Sequence, residues 1–357
     1  MQPSAGRRLI TLLTGEVCAM RNQFQANALI HKRTVRAASS CSAENIVCGS
    51  LRAVRVVPHR QRSSTAVNTA TNAPVVVMVP GMHHEAWYFR GLQEEIAARG
   101  FESVSFTLPK SRLLTAAPTD FGRLADLRSA MDALQLERPV MLGHSQGGLL
   151  TQMYADLVDP TMPERQRLGG VVLSATGALG QKRPFFDLVM QLASLLPFSA
   201  LAYVGRTGKY RTPEDMAKLF LLPTTTHTTV AGADNGRCAD DSSTEITADR
   251  GISVAQYWER LNAADCSSFG EGLTTYMHAL YSRWAFWNPQ TLKVPTLVVS
   301  ADNDVLYRRV HAEWLLQHHC KVAELLTVAN QAHCLADPGW EDTYARPVAD
   351  WLDKLPR

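Results

Sequence analysis

Absences narrow this sequence before any motif does. Its seven cysteines are an odd number with no C-x-x-C pair, so neither a disulfide framework nor a zinc knuckle is indicated, and reduced thiols are expected. No clean membrane span stands out: the apolar run at 185–204 is interrupted by Asp187 and Pro197 and only reaches the lower end of the about 17–25 residues a span needs. Buried helices are expected there instead. No internal repeat is present, and the first nineteen residues lack the apolar core of a secretory signal. Acidic residues are scarce in residues 1–72, where nine Arg and one Lys face only Glu16 and Glu44. That head carries +8 and leaves the rest of the +3 chain at −5. An Arg-, Ser- and Thr-rich, acid-poor head before a mildly acidic body reads as an organelle transit peptide over 1–37. Val35-Arg36-Ala37-Ala38 resembles a stromal cleavage motif with the break before Ala38, so the chloroplast (plastid stroma) is the expected compartment and the mitochondrion the alternative. Targeting accounts for the basic head and leaves no case for nucleic-acid binding.

What is present suits a folded protein: 46% apolar and 19% charged residues in 357, enough for one large core with an inserted subdomain. Residues 38–73 show no periodicity and are expected to be a disordered or linker segment. From "VVVMVPG" (75–81) onward, short apolar runs rich in β-branched residues recur at 103–107, 139–144, 170–175, 295–301 and 323–329. Runs of this kind suit strands buried on both faces. Helical spacing fills the gaps at 85–100, 120–137, 148–158, 308–319 and 340–355, the last kinked or restarted by Pro347. The expected fold class is therefore α/β, a doubly wound, mostly parallel sheet. Residues 177–285 break the rhythm with helix-like stretches and no clear strand, so a helical cap is expected between core segments 74–176 and 286–357. Within it, the Gly-, Asp- and Ser/Thr-rich stretch after 222 reads as an excursion.

The motif that carries chemistry is Gly143-His144-Ser145-Gln146-Gly147, a G-x-S-x-G between a strand and a helix. A nucleophile between strand and helix needs a tight turn in which neighbouring side chains would collide, and glycine removes them. The turn lifts the Ser145 hydroxyl to the positive end of the following helix. A serine hydroxyl needs a base, which a histidine oriented by a carboxylate supplies. "SADNDVLY" offers Asp302 and Asp304 beyond one late strand, and "NQAHCLADP" offers His333 beyond the next.

With these residues in place, 74–355 resembles the α/β-hydrolase fold family with a helical cap. "VPGMHHEAWYF" resembles its oxyanion loop, with Pro80 where a His is common; "GHSQGG" resembles its elbow, and the two segments above its acid turn and histidine loop. The resemblance implies Ser145 as nucleophile, His333 as general base and then acid, and Asp304 as the carboxylate, with Asp302 as the fallback. It implies the backbone N–H groups of Met82 and Gln146 as the oxyanion hole. His83, His144 and Trp284 are the candidate substrate-binding residues, although His144 also suits packing or hydrogen bonding inside the elbow. His83 and His84 are adjacent, so their side chains diverge, and with no third ligand at metal spacing no metal site is expected. Trp258, Trp284, Phe286 and Trp287 suit either a hydrophobic pocket or the cap core. The expectation is a cofactor-free serine hydrolase acting on a small-molecule hydrophobic ester or acyl substrate, with no integral span and with peripheral membrane contact through the cap left open. Thioesterase and acyltransferase chemistry use the same triad. The alternative of another class is a ligand-binding receptor or scaffold on this fold.

Overall fold

The computed structural model describes residues 34–35, 41–58, 73–109, 119–177, 196, 198–207, 209–221, 247–248, 252–264, 291–334 and 341–356. Its frame is a nine-stranded sheet in the order β1-β2-β3-β5-β4-β6-β7-β10-β11. The apolar runs of the sequence form the parallel part: β4 (Val76–Val79), β5 (Ser103–Thr107), β6 (Val140–His144), β7 (Gly170–Ser174), β10 (Thr296–Ala301) and β11 (Ala323–Val328). Alternate residues of the strands inside the sheet feed opposite cores, which is why they read as apolar runs; β11, at the edge, departs from the expectation, with Glu324 and Thr327 exposed and only Val328 buried. Val76, Met78, Val140 and Leu142 pack on one side against Leu92 and Ile96 of α1 (Arg90–Ala98) and Trp351 and Leu352 of α8 (Arg346–Asp353). Val77, Val79 and Met141 pack on the other against α2 (Thr119–Leu134), α3 (Gln146–Met153) and α7 (Arg309–His318). Pro347 lies in the first turn of α8, where its missing N–H costs little, directly after a one-turn π segment at Glu341–Ala345.

The chain leaves β4 for β5 on one side and then returns to place β6 on the other. Connections diverge at this switch point, which opens a crevice at the carboxyl ends of β4 and β6. The Gly81 loop and Ser145 follow those two ends.

The expectation for 38–73 needs correction over Cys41–Pro58. Two strands, β2 (Cys41–Cys48) and β3 (Leu51–Pro58), form a hairpin there, and β3 pairs antiparallel with β5. Gly49 opens its two-residue turn at φ 59°, the left-handed conformation such turns favour. The hairpin was hidden because β3 has no unbroken apolar run: Leu51 and Ala53 face one core and Val56 another, while Arg52 is exposed and Arg55 pairs with Glu102 at 2.7 Å. Of the segment expected to be a transit peptide, Thr34–Val35 forms β1, antiparallel to β2, and 1–33 lies outside the described residues.

In the expected cap, α4 (Phe198–Thr207), α5 (Pro213–Phe220) and α6 (Val254–Ala263) are helical. Thr212 caps α5 by accepting from the Asp215 N–H at 3.1 Å, with Pro213 in the first turn. The expectation of no strand fails at β8 (Thr247–Ala248) and β9 (Ile252–Ser253), an antiparallel ribbon whose two-residue strands are too short to show alternation. Residues 222–246 and 265–290, with Trp284, Phe286 and Trp287, lie outside the described residues. No helix among the described residues is long and apolar enough to cross a membrane.

If the hairpin is integral, Leu51→Ala, at a fully buried position, should cost about 2–5 kcal/mol in urea unfolding. A loose linker would show under about 0.5 kcal/mol.

Candidate active site

Ser145 connects β6 to α3 with φ 54° and ψ −121°, a conformation that non-glycine residues adopt only when their surroundings hold them there. The hold is visible on both sides: the Ser145 N–H donates to the Ser174 carbonyl at 2.9 Å, and the Thr176 hydroxyl donates to the Ser145 carbonyl at 2.7 Å. The glycines make room. A Cβ on Gly147 would overlap the Val79 carbonyl, and one on Gly143 would overlap Gly147 and Thr151. Gln146 is the first residue of α3, where N–H groups point beyond the helix start.

His333 follows β11. Its Nδ1 lies 2.9 Å from Asp304 Oδ2, both side chains being buried. The other carboxylate oxygen, Oδ1, accepts from the N–H groups of Leu306 and Tyr307 at 2.7 and 2.8 Å, so Asp304 is held as an acceptor. The Nδ1 of His333 therefore carries the proton and Nε2 keeps its lone pair. Asp302, the fallback, is exposed and accepts instead from the Gln331 N–H at 3.3 Å, tying the acid turn to the histidine loop.

His144 joins the nucleophile turn to this loop, its Nε2 lying 2.9 Å from the His333 carbonyl and its ring 4.9 Å from the His333 ring. It is as buried as Ser145 and His333, and its ring serves as an internal support of the histidine loop. Among the described residues, the hydrogen bonds of the site run from His333 to Asp304 and from His144 to the His333 backbone. A bond from the Ser145 hydroxyl to the imidazole is not among them.

The Gly81 loop closes the third side. Met82 is half-buried; His83, at φ 62°, packs its ring edge-on to Tyr210 with centroids 5.0 Å apart. His84 is buried under the cap, with Nδ1 2.7 Å from the Met82 carbonyl and Nε2 2.6 Å from the Tyr257 hydroxyl. Reading the sequence considered His84 only as half of a His pair and did not single out Tyr257, because 173 residues separate the partners. Trp258 belongs to the cap's own packing, its indole N–H donating to the Tyr210 carbonyl at 2.9 Å. Among the described residues no cluster of His, Cys, Asp or Glu is arranged to hold a metal.

A model of the alpha/beta hydrolase family matches residues 76–351. The chain belongs to the alpha/beta hydrolase family. Solved structures agree at the level of fold. An epoxide hydrolase from Vigna radiata is 12% identical with a TM-score of 0.57, over 90% of this chain and 100% of that one. An esterase from Thermogutta terrifontis is 16% identical with a TM-score of 0.53, over 92% and 99%. An enol-lactonase from Burkholderia xenovorans is 16% identical with a TM-score of 0.51, over 87% and 100%. No curated protein matches the chain.

Burial keeps several histidines of this hydrolase neutral. It pushes His84 down to about 3 and His319 down to about 4, and it holds His144 well below the ordinary range, with His333 and His84 nearby adding to the effect. An unfolded histidine titrates near ~6.5, so below that pH the unfolded chain takes up protons that the folded one does not. Stability should fall as pH drops from about 6.5 toward about 4, on the order of 1 kcal/mol per pH unit for each such group. Urea midpoints at pH 7.5 and 5.0 check this, and His319→Leu should shrink the drop. Gly147→Ala should abolish soluble folded protein, read by expression and circular dichroism.

Proposed function

We propose that this alpha/beta hydrolase cleaves carboxylic esters through an acyl-enzyme on Ser145. The observation that carries the proposal is the His333–Asp304 pair at 2.9 Å, in which Oδ2 faces the imidazole while two backbone donors hold Oδ1. Such a pair fixes the tautomer in which Nε2 is the free base, and it steadies the imidazolium that forms when that base takes a proton. Ser145 Oγ attacks the ester carbonyl while His333 Nε2 accepts the hydroxyl proton. His333 then returns that proton to the leaving alcohol, and water activated by the same nitrogen releases the acid. The N–H groups of Met82 and Gln146 would face the oxyanion of each tetrahedral intermediate. A Ser145–His333 hydrogen bond would form when substrate is bound, since catalytic hydrogen bonds are often completed only then.

The nucleophile decides between the activities of the fold's neighbours. Serine attack on an epoxide would leave an ether on the enzyme, which water does not cleave, whereas attack on an ester leaves an ester that water does. Esters, thioesters and acyl transfer thus fit Ser145, and epoxide opening does not. The rings of Tyr210, Phe220 and Tyr257 around the site favour a hydrophobic acyl or alcohol part. The route needs no cofactor.

A ligand receptor on the same fold is the second reading, and the absent Ser145–His333 bond is what favours it. A fluorophosphonate probe separates the two: covalent labelling of wild type and none of Ser145→Ala is expected. Turnover of p-nitrophenyl esters should fall at least about 10³-fold in Ser145→Ala and His333→Ala. Absence of labelling in wild type would favour the receptor. Plastid import belongs to the same proposal, since cleavage before Ala38 would remove β1 and spare the β2–β3 hairpin.

A further inference from the structure

Met82 supplies one of the two N–H groups assigned above to the oxyanion, so the peptide planes on either side of Met82 set where that donor points. His84 grips both. Its backbone N–H donates to the Gly81 carbonyl at 3.4 Å. Carbonyl and N–H point in opposite directions across a trans peptide, so this bond turns the Met82 N–H out of the turn. Its ring Nδ1 lies 2.7 Å from the Met82 carbonyl, which can only accept, so Nδ1 carries the proton and donates. Between these two grips sits His83 at φ 62°, a backbone conformation that needs such a hold.

With its proton on Nδ1, His84 offers Nε2 as an acceptor. The group facing it at 2.6 Å is the Tyr257 hydroxyl, with the Cys334 thiol the next neighbour at 3.7 Å. Burial, which pushes the ring down to about 3, keeps it neutral, and the bond to the Met82 carbonyl fixes this tautomer. Tyr257 lies on α6 of the cap, fully buried. A continuous chain therefore runs from the cap to the oxyanion loop: Tyr257 O–H to His84 Nε2, then His84 Nδ1–H to the Met82 carbonyl. Two further contacts seat α6 on the same loop, the Tyr257 ring at 5.7 Å from Trp87 and the Arg260 guanidinium 5.4 Å over Trp87. The histidine loop is tied to the cap as well, the Cys334 N–H donating to the Phe220 carbonyl at 3.1 Å.

We propose that His84 is a positioning residue through which the seated cap aligns the oxyanion donor at Met82, with the Tyr257 hydroxyl as the link. The inference rests on the acyl-enzyme reading. An outward movement of α6 that admits substrate would break the Tyr257–His84 bond and loosen the turn. The donor would regain its direction only when the cap is again closed over the ester and water is excluded. Hydrolysis is thereby made dependent on a substrate that lets the cap seat.

The test uses the full chain, a short p-nitrophenyl ester, and a trifluoromethyl ketone, which forms a tetrahedral adduct with the serine and so reports on the oxyanion site. Tyr257→Phe removes one hydroxyl and keeps the ring. It should lower kcat and ketone affinity by the same factor, about tenfold, with KM nearly unchanged, because a donor is misdirected rather than deleted. His84→Asn, whose amide N–H can still reach the Met82 carbonyl, should keep more activity than His84→Leu. Wild-type kcat and ketone affinity in Tyr257→Phe would overturn the proposal. So would a loss carried by a raised KM and a lowered melting temperature, which would mark simple packing. If His84→Asn fails to fold, Tyr257→Phe decides alone. A wild type that neither hydrolyses esters nor takes the fluorophosphonate overturns both this proposal and the acyl-enzyme reading, whereas an active wild type with an indifferent Tyr257→Phe overturns only this one.

Discussion

The left-handed backbone at Ser145 is the constraint on which the rest of the site depends. A serine with φ 54° has no intrinsic reason to stay there, so neighbouring elements must hold it. That requirement explains features that otherwise look unrelated. β7 lies beside β6 and offers the Ser174 carbonyl to the Ser145 N–H, and the residues just beyond β7 bring Thr176 to the Ser145 carbonyl. Gly147 lets α3 start against the backbone of Val79 and Pro80. The end of β4 is thereby pressed against the start of α3, which puts the Gly81 loop beside the serine. Strain at one residue and closeness of the Gly81 loop have the same cause.

Three imidazoles, those of His84, His144 and His333, meet at the site, and the hydrogen bonds given to each sort their tasks. Only His333 faces a carboxylate, Asp304. His144 and His84 face backbone carbonyls, and burial without a compensating negative partner keeps both rings uncharged. Neutral buried rings act as fixed hydrogen-bonding struts, one holding the histidine loop and the other the Gly81 loop. A single carboxylate thus distinguishes His333 from its two neighbours, and both of those support the backbone of the loops around Ser145.

The parts legible in the sequence were those whose cause is local. Strands buried on both faces announce themselves by unbroken apolar runs, and the serine turn by its glycines. The acid turn was half legible: "SADND" shows two carboxylates two residues apart, and only hydrogen bonding tells that Asp304 meets His333 while Asp302 meets the Gln331 backbone. Where structure depends on partners distant in the chain, the pattern was silent. Arg52 and Arg55 interrupt β3 and make it look like linker, although Arg52–Val56 pair antiparallel with β5, a partner that begins only at Ser103. The place of His144 in the elbow gives no sign that its ring reaches the loop of His333, 189 residues on. Nothing near Tyr257 in the sequence hints at His84.

Helices α4, α5 and α6, the expected cap, lie between β7 and β10 in the chain, so the chain leaves the sheet at the carboxyl end of β7, beside the end of β6 where the serine sits. Cap residues consequently share one continuous apolar cluster with the core: Tyr210, Phe220 and Tyr257 belong with Val79, Leu149 and Leu173. The same cap rings touch the site itself, Phe220 at 5.7 Å from the His333 ring and Tyr210 at 5.0 Å from that of His83. A protein with a separate specificity domain can change its pocket and leave its chemistry alone. Here the rings of Tyr210 and Phe220 pack on those of His83 and His333, and the Tyr257 hydroxyl bonds to His84, so a substitution at any of the three also shifts the supports of His333 or of the Gly81 loop. Packing therefore couples the inserted helices to the cluster around Ser145, and a change in those helices has to rebuild the contacts to His83, His84 and His333.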